Sequence, residues 1–222
     1  MPAPRAPNAI LFDLDGTLVD TVPARIDAWS AAFDEVGIAS TRSQLEAMIG
    51  IDGRRLAREV AAAAGRQLTD EQAEAIDRRS GELFDEYNRD PRPLPGAREL
   101  LRKLDDRGLT WAIATSSRRE QVTASIAALD LGHEPRIVDG SRVEHAKPAP
   151  DLLLQAAREV GVAPEDCWYV GDSTWDMRAA TAAGMVAIGV LAGSAVDEPA
   201  LRDAGASMVV PTLLDLDREL PG

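Results

Sequence analysis

Two aspartates separated by one residue, Asp13 and Asp15, end a short apolar run over residues 8–14 and are followed by Gly16 and Thr17. Two carboxylates at this spacing converge only where the chain turns, and Gly16 relaxes the backbone there. One carboxylate can attack phosphorus as a nucleophile, and the other can pass a proton to the leaving oxygen and then activate water. A solvated acidic turn is the alternative, but the apolar strand before the pair and Gly-Thr after it favour a reactive site.

A second acidic motif, Gly171-Asp172-Ser173-Thr174-Trp175-Asp176, also follows an apolar run. Carboxylate oxygens are hard ligands of the kind that Mg²⁺ prefers. The alternative is a helix start, in which Ser173 or Thr174 caps the helix and Asp176 is an acidic residue of the first turn. The presence of the first motif in the same chain favours the metal site.

Two further segments carry polar groups that suit a phosphate. The Thr115 hydroxyl and the backbone N–H groups after it could hold phosphoryl oxygens at a helix N-terminus, although Thr115 and Ser116 could equally be a helix cap. Only two of the 24 basic residues are lysines, Lys103 and Lys147. A lysine retained among arginines suggests a need for a compact ammonium, which we expect of Lys147 beside Pro148. Lys103 is expected to be solvated on a helix.

The elements that must position these groups alternate between apolar runs and helical patterns. This βαβ rhythm predicts an α/β fold with a parallel sheet covered on both faces. Ligands bind at the carboxyl ends of the strands in such sheets, so the motifs should gather at one edge. The predicted strands cover residues 8–14, 109–114, 136–138, 167–170, 186–190 and 207–210. The helices predicted between them cover residues 97–106, 118–129, 148–160, 175–183 and 199–204.

One interval breaks this rhythm, because the chain between Leu14 and Leu109 is far longer than the ~30 residues of a βαβ unit. Its patterns predict helices over residues 23–36, 42–48, 54–64 and 70–88, followed by a linker at 89–96 with three prolines. We therefore expect a core domain over residues 1–19 and 94–222, with a small all-helical domain inserted over residues 20–93 after the first strand.

The composition excludes several classes of partner. A formal net charge of −13 disfavours nucleic acids and anionic membrane surfaces as ligands. The single cysteine, Cys167, excludes a disulfide framework within the chain. The residues from Met1 to Pro7 lack a secretory apolar run, and no stretch approaches the ~18 apolar residues of a membrane span. These features predict a cytoplasmic protein.

Four segments in this order carry a family resemblance: LFDLDGTLVDT (11–21), AIATSS (112–117), HAKPAPDLLLQAA (145–157) and VGDSTWDMRAATAAGM (170–185). Together they resemble the haloacid dehalogenase superfamily of phosphotransferases, most of all its phosphoglycolate phosphatase-like branch. The resemblance covers nearly the whole chain. It implies a Rossmann-like core sheet and a helical cap that closes over the substrate and excludes water.

The same resemblance implies roles for individual residues. Asp13 would be the nucleophile that forms an aspartyl-phosphate, and Asp15 would be the general acid and base. Thr115 would bind the transferring phosphoryl group, and Lys147 would offset the charge of the nucleophile and the phosphate.

The implied binding residues surround these catalytic groups. Mg²⁺ would be held by Asp13, by Asp15 through its backbone carbonyl and by Asp172, with Asp176 supporting the metal or Lys147. Gly16 and Ser116 would help to bind the phosphate.

The resulting hypothesis is a Mg²⁺-dependent phosphatase acting on a small phosphate monoester, phosphoglycolate-like or sugar-phosphate-like. A sugar-phosphate mutase and a catalytically silent phosphometabolite-binding protein are the alternatives. Asp15 disfavours dehalogenation, because the dehalogenases lack this aspartate, and the absence of lysine from residues 20–90 disfavours phosphonatase chemistry. Arg25 stands where the mutases commonly carry a histidine, which weakens the mutase alternative. The protein could be a monomer or a homodimer.

Residues of the inserted helices could read the substrate. Arg54 and Arg58 share one helix face with i,i+4 spacing, beside Arg55. The alternative is that these arginines are solvated or paired with acidic side chains.

Overall fold

The computed structural model describes residues 5–140, 143 and 145–220. Residues 1–4, on which the expected absence of a secretory segment partly rests, lie outside this range. The strands are β1 (Ala9–Phe12), β2 (Thr110–Thr115), β3 (Ile137–Asp139), β4 (Cys167–Gly171), β5 (Val186–Val190) and β6 (Met208–Val210). The helices are α1 (Val22–Glu35), α2 (Arg42–Glu46), α3 (Gly53–Ala63), α4 (Asp70–Tyr87), α5 (Ala97–Arg107), α6 (Thr123–Leu129), α7 (Asp151–Val160), α8 (Thr174–Ala182), α9 (Glu198–Asp203) and α10 (Leu213–Glu219).

The described strands form one parallel six-stranded sheet in the order β3-β2-β1-β4-β5-β6. The predicted α/β class with a Rossmann-like parallel sheet is therefore confirmed. Strand order reverses between β1 and β4, and a ligand crevice opens at such a switch point, beyond the carboxyl ends of the strands. Phe12 is level with Ile113 of β2 and with Val170 of β4, so the residues that follow the three strands meet at this crevice.

Both faces of the sheet are buried because successive side chains of a strand point to opposite sides. Ile10 and Phe12 pack in one apolar cluster with residues of α5 and α10. Ala9 and Leu11 pack in the opposite cluster with residues of α7, α8 and α9. This burial explains why the strands appear in the sequence as continuous apolar runs rather than as alternating patterns.

Helices α1 to α4 fill the long interval after β1 and pack around an apolar cluster of their own, which includes Trp29, Phe33 and Phe84. The chain leaves the core and returns to it through adjacent segments. The N–H of Asp20 donates to the carbonyl of Arg92 at 2.8 Å, and the N–H of Leu94 donates to the carbonyl of Leu18 at 2.9 Å. The proline-containing linker thus runs directly beside the outgoing chain.

Several elements differ from the predictions at their ends. The predicted strand over 8–14 stops at Phe12, because Asp13 and Leu14 already belong to the turn. The helix predicted over 118–129 is a short 3₁₀ turn at Arg119–Val122 followed by α6. The helix predicted from Pro148 begins at Asp151. Helix α10 has no counterpart among the predicted helices, and Thr212 caps it by accepting a hydrogen bond from the N–H of Asp215.

Lys103 was predicted to be solvated, and its side chain is 51% exposed, but it also forms an ion pair. Its ammonium donates to Asp217 on α10, and this pair joins α5 to the C-terminal helix. Within the described residues, no helix is both long enough and apolar enough to cross a membrane.

Candidate active site

Asp13 lies at the centre of the crevice, where β1 ends between β2 and β4. Its N–H donates to the carbonyl of Val170 at 2.8 Å, and its side chain is buried. The chain then turns sharply, and Gly16 adopts φ +80°. A Cβ at this glycine would lie 2.4 Å from Oδ2 of Asp172. Gly16 therefore provides both the turn and the space that the neighbouring carboxylate occupies.

A buried lysine connects the two acidic motifs. Nζ of Lys147 donates to Oδ1 of Asp13 and to Oδ1 of Asp176, both at 2.7 Å. The Lys147 residue is only 2% exposed. Burial lowers the pKa of Lys147, but the two carboxylates outweigh this effect and raise the pKa above its ordinary value. The ammonium is therefore charged, and its two bonds fix it beside Asp13.

Asp176 is saturated with hydrogen bonds. Besides Lys147, the Tyr169 hydroxyl donates to its Oδ1 at 3.1 Å. Its Oδ2 accepts from the Ser173 N–H at 3.0 Å and from the Ser173 hydroxyl at 2.6 Å. The Ser173 N–H bond to Oδ2, together with the Asp176 N–H bond to the Ser173 hydroxyl oxygen at 3.2 Å, forms a capping box that begins α8. Asp176 therefore caps the helix, as the alternative has it, and also contacts Lys147. Asp176 therefore positions Lys147.

Three buried carboxylates could hold a metal ion: oxygens of Asp13, Asp172 and Asp176 lie within 4.8 Å of one another. Oδ1 of Asp172 accepts from the Thr17 hydroxyl at 3.0 Å. Within the described chain, no hydrogen bond is donated to Oδ2 of Asp172 or to Oδ2 of Asp13. Both aspartates border the cavity, and carboxylate oxygens that accept no hydrogen bond fit Mg²⁺ well, since this ion takes one or two carboxylates and keeps several waters.

The electrostatics of this cluster also favour a cation. Burial raises the pKa of Asp13 to about 7; Lys147 acts against this rise, and Asp176 adds to it. Burial, and then the charges of Asp176 and Asp13, raise the pKa of Asp172 well above its usual range. A positive ion between these carboxylates would favour their ionised forms.

Asp15 points to a different set of partners. Its Oδ1 accepts from the Thr21 hydroxyl at 2.6 Å, and its Oδ2 accepts from the Ser117 hydroxyl at 2.6 Å. Nη2 of Arg25 lies 3.4 Å from the same Oδ2 and 3.0 Å from the Ser117 hydroxyl oxygen. Because this carboxylate also borders the cavity beside Asp13, it is placed to exchange a proton there.

The end of β2 supplies hydroxyl groups on the other side of Asp13. Thr115 is 1% exposed, and its hydroxyl oxygen accepts from the Ser117 N–H at 3.1 Å. Thr115, Ser116 and Ser117 all border the cavity. The structure thus brings Thr115 and Ser116 together with the aspartates, as the sequence predicted.

The cavity over Asp13 has a volume of about 90 Å³. Lys147, Asp172 and Asp176 border it together with Asp13 and Asp15. Its opposite wall is built from α1, α4 and the segment after β2. Besides Trp29, this wall contains residues that were not predicted as site residues: Arg25, Asp77, Ser80, Ser117 and Gln121.

Arg54 is not part of this wall. Its Nη2 lies 3.5 Å from Oδ2 of Asp52, its Nε lies 3.9 Å from Oε2 of Glu74, and its side chain is 52% exposed. It borders a neighbouring open cavity of about 590 Å³. Arg58 pairs with Asp70 at 2.6 Å. Both arginines are thus paired with acidic side chains, as the alternative has it, and a contact between Arg54 and the substrate stays a prediction.

Comparison with known proteins agrees with this arrangement. The profile of the haloacid dehalogenase-like hydrolases matches residues 7–184, which span all the acidic and basic groups described above. The chain belongs to this family. A hydrolase from Pseudomonas syringae has the same fold as this HAD-like hydrolase, with a TM-score of 0.90 and 35% identity over 96% of this chain and 97% of that one.

Two relatives have more specific names. A phosphoglycolate phosphatase from Xanthomonas campestris is 34% identical over 201 residues, which cover 85% of each protein. A beta-phosphoglucomutase from Bacillus subtilis is 31% identical over 224 residues, covering 96% of this chain and 93% of that protein. This HAD-like hydrolase is thus similar both to a phosphatase and to a mutase.

Proposed function

We propose that this HAD-like hydrolase is a Mg²⁺-dependent phosphatase that hydrolyses a small phosphate monoester through an aspartyl-phosphate on Asp13. The observation that carries the proposal is the pairing of a buried Asp13 with Lys147 at 2.7 Å, beside Asp172, at the mouth of a cavity. A carboxylate beside an ammonium, in a cavity that a phosphate could enter, is suited to nucleophilic attack on phosphorus.

In the first half-reaction, a carboxylate oxygen of Asp13 bonds to phosphorus and the bond from phosphorus to the ester oxygen breaks. Asp15, in its acid form, gives its proton to the departing oxygen. Lys147 and Thr115 hold the phosphoryl oxygens during the transfer. The products of this step are an alcohol and the aspartyl-phosphate.

In the second half-reaction, water attacks the phosphorus of the aspartyl-phosphate while Asp15 accepts a proton from it. The bond between phosphorus and the Asp13 oxygen breaks, which restores the carboxylate and releases inorganic phosphate. Ser117 and Thr21 hold Asp15 through both oxygens, so the same carboxylate serves as acid and then as base.

Asp13 and Asp172 would hold Mg²⁺, together with the backbone carbonyl of Asp15. When bound, the ion would offset negative charge on the phosphoryl oxygens. The proposal needs a cation for a simple reason: the cavity presents several carboxylates and few positive side chains, so without one it would repel a phosphate ester.

Helices α1 to α4 act as a cap in this proposal, because their residues form the wall opposite Asp13. Closing such a cap over the substrate would exclude water from the first half-reaction. Arg118 in the core donates to Asp77 of α4 at 3.0 Å, which holds the two sides together. We place the enzyme in the cytoplasm, in keeping with its single buried cysteine, Cys167.

The proposal is tested by hydrolysis of p-nitrophenyl phosphate with and without Mg²⁺. We expect activity only with the ion, and a loss of about a thousandfold or more in Asp13→Asn. Asp203→Asn, which removes an exposed carboxylate of α9, is the matched control and keeps full activity. Full activity in Asp13→Asn would overturn the proposal.

A sugar-phosphate mutase is the second candidate, favoured by the similarity to beta-phosphoglucomutase. Arg25, which lies against Asp15 and Ser117, occupies the position at which mutases commonly carry a histidine. Phosphorus NMR with a sugar phosphate separates the two activities. A mutase would isomerise the sugar phosphate faster than it releases inorganic phosphate, and a phosphatase would not.

A further inference from the structure

Apart from Ser117, which holds Asp15, the wall opposite Asp13 carries polar groups to which the phosphoryl transfer assigns no step. Resting on the proposed phosphatase function, we propose that this wall selects a neutral, polyhydroxylated leaving group, so that the substrate is a polyol or sugar phosphate rather than a phosphorylated carboxylic acid. Arg25, Asp77, Gln121 and Trp29 are the residues that would read it.

The wall offers both donors and acceptors, as hydroxyl groups require. Nη2 of Arg25 is engaged with Asp15 and Ser117, but its Nη1 and Nε make no hydrogen bond with any described residue. Oε1 of Gln121 accepts from the N–H of Arg118, while its Nε2 likewise has no described hydrogen-bond partner. Asp77 contributes carboxylate oxygens that only accept. A hydroxyl both donates and accepts, so it can bond to either kind of group.

Gln121 and Arg25 are also held in place. A Cβ on Gly81 would lie 2.3 Å from Nε2 of Gln121, so the amide rests directly over this glycine of α4. The guanidinium carbon of Arg25 lies 3.4 Å from the ring centroid of Phe84. The donors are therefore fixed before a ligand binds, which reduces the entropy lost on binding.

An aromatic surface completes the wall. Trp29 borders the cavity and stacks on Phe33, with ring centroids 5.6 Å apart. The carbon-bound hydrogens of a polyol chain can pack on such a ring while its hydroxyl groups reach the polar residues. Ligand pockets commonly combine an apolar surface with a few fixed polar groups in this way.

The charges of the wall argue against a second anion. The positive charge of Arg25 is faced by Asp15, 3.4 Å away, and acts on Asp77 and Asp85 of α4 as well. A carboxylate on the leaving group would be favoured by an arginine free to form a bidentate pair. Arg25 is instead surrounded by the acidic side chains of Asp15, Asp77 and Asp85, which would repel a carboxylate of the leaving group.

The neighbouring cavity is also lined by both arginines and acidic residues, and it adjoins the cavity over Asp13. The two cavities share Gly53, Asp77, Ser116 and Gln121, so a leaving group could pass from one into the other. Among the described residues around the second cavity, three arginines face three acidic residues: Arg54, Arg118, Arg119, Asp52, Glu74 and Asp77.

The pairs in the second cavity are close. Nη2 of Arg118 lies 3.0 Å from both Glu74 and Asp77. The inner cavity of about 90 Å³ is small for a ligand site, whereas the outer one of about 590 Å³ is in the usual range. The geometry therefore suits a phosphate and the first carbons of the leaving group in the inner cavity, beside Arg25 and Trp29. The rest of a hydroxylated chain would reach the outer cavity past Asp77 and Gln121.

The experiment compares steady-state kcat/KM for sorbitol 6-phosphate, glucose 6-phosphate and 2-phosphoglycolate, with Mg²⁺ present and with p-nitrophenyl phosphate as a reference. We expect at least one of the two hydroxylated substrates to exceed 2-phosphoglycolate by about tenfold or more. A preference for 2-phosphoglycolate over both would overturn the inference.

Asp77→Asn tests the charge argument, because it keeps the shape of the side chain and removes its negative charge. We expect the ratio of kcat/KM between the better hydroxylated substrate and 2-phosphoglycolate to fall by about tenfold. Glu86→Gln, on an exposed position of α4, is the control and should leave this ratio unchanged.

The outcomes separate this inference from the proposed function. If p-nitrophenyl phosphate is hydrolysed but Asp77→Asn leaves the ratio unchanged, the inference is wrong while the phosphatase assignment stands. If none of the esters is hydrolysed with Mg²⁺, the proposed function itself fails. The wild-type ranking decides the inference even if Asp77→Asn does not fold.

Discussion

Nζ of Lys147 lies 2.7 Å from Oδ1 of Asp13, and both side chains are buried. The two residues are 134 positions apart in the chain, so only the folded sheet brings them together. The same ammonium bonds to Asp176 at 2.7 Å, which makes Lys147 the centre of a buried network of one positive and two negative groups.

Removal of this ammonium should destabilise the fold. Lys147→Met leaves Asp13 and Asp176 buried without their cation, and breaking a buried ion pair in this way costs about 3–5 kcal/mol. Urea unfolding at neutral pH measures the loss. An exposed arginine provides the control: Arg202 pairs with Glu198 on the same helix, and their side chains are 47% and 46% exposed, so Arg202→Met should cost under about 1 kcal/mol. Equal effects of the two substitutions would contradict the prediction.

Mg²⁺ should stabilise the protein in the absence of substrate. A ligand that binds only the folded state raises stability by about 2.7 kcal/mol at a concentration of a hundred times its Kd. We therefore expect the melting temperature to rise with Mg²⁺ and to fall again with EDTA. In Asp172→Asn the rise should largely disappear, whereas Asp203→Asn should retain it. An undiminished rise in Asp172→Asn would remove this aspartate from the metal site.

Gly16 should be sensitive to a single added methyl group. Gly16→Ala places a Cβ 2.4 Å from Oδ2 of Asp172 at φ +80°, so it should reduce both hydrolysis and the Mg²⁺-dependent rise in melting temperature. Gly108 has φ +65° and open space around it. Gly108→Ala should therefore cost only the ~1–2 kcal/mol of left-handed backbone and preserve activity. Gly108→Ala measures the cost of backbone strain alone, so any further loss in Gly16→Ala comes from the contact with Asp172.

The His133–Asp105 pair should make stability depend on pH. The Asp105 carboxylate and the Glu134 carbonyl raise the pKa of His133 above its value in the unfolded chain. The stabilisation is complete below an unfolded pKa of ~6.5 and is lost as the pH rises through the folded pKa. His133→Gln should therefore be less stable than the wild type at pH 5.5 and equally stable at pH 9.

Urea unfolding at the two pH values checks this difference. A second readout is available in Trp111, whose Nε1–H donates to Asp105 and whose ring centroid lies 6.1 Å from that of His133. The Trp111 emission should change with pH near neutrality in the wild type and not in His133→Gln. A destabilisation that is the same at both pH values would show that the histidine acts only by packing.

The candidate catalytic and metal-binding residues that follow the strands could be predicted from the sequence. Asp13 and Asp172 each end an apolar run, and parallel strands bring such positions to one edge of the sheet. Strand β5 was predicted with its exact bounds, because Gly184 and the turn after Val190 enclose it. These features depend on local patterns, which a single sequence contains.

The wall opposite Asp13 depends on contacts that no local pattern encodes. Gln121 rests on Gly81, and Arg25 reaches Ser117 across 92 positions of the chain. In the sequence Gln121 and Ser117 look like ordinary polar positions, and Arg25 stands out only through the family resemblance. The spacing of Arg54 and Arg58 is visible in the sequence, but the approach of Arg54 to Glu74 of α4 is not, because it depends on how α3 and α4 pack.

The two crossings between the core and helices α1 to α4 lie side by side, joined by the hydrogen bond from Asp20 to Arg92. A segment whose ends are already adjacent can be replaced by another of different length with little change in loop-closure entropy. Asp13, Lys147 and Asp172 lie outside this segment, so their positions at the carboxyl ends of the strands do not depend on its sequence. Exchange of this segment between members of the family would therefore replace Arg25, Trp29 and Asp77 together and leave Gln121 of the core in place.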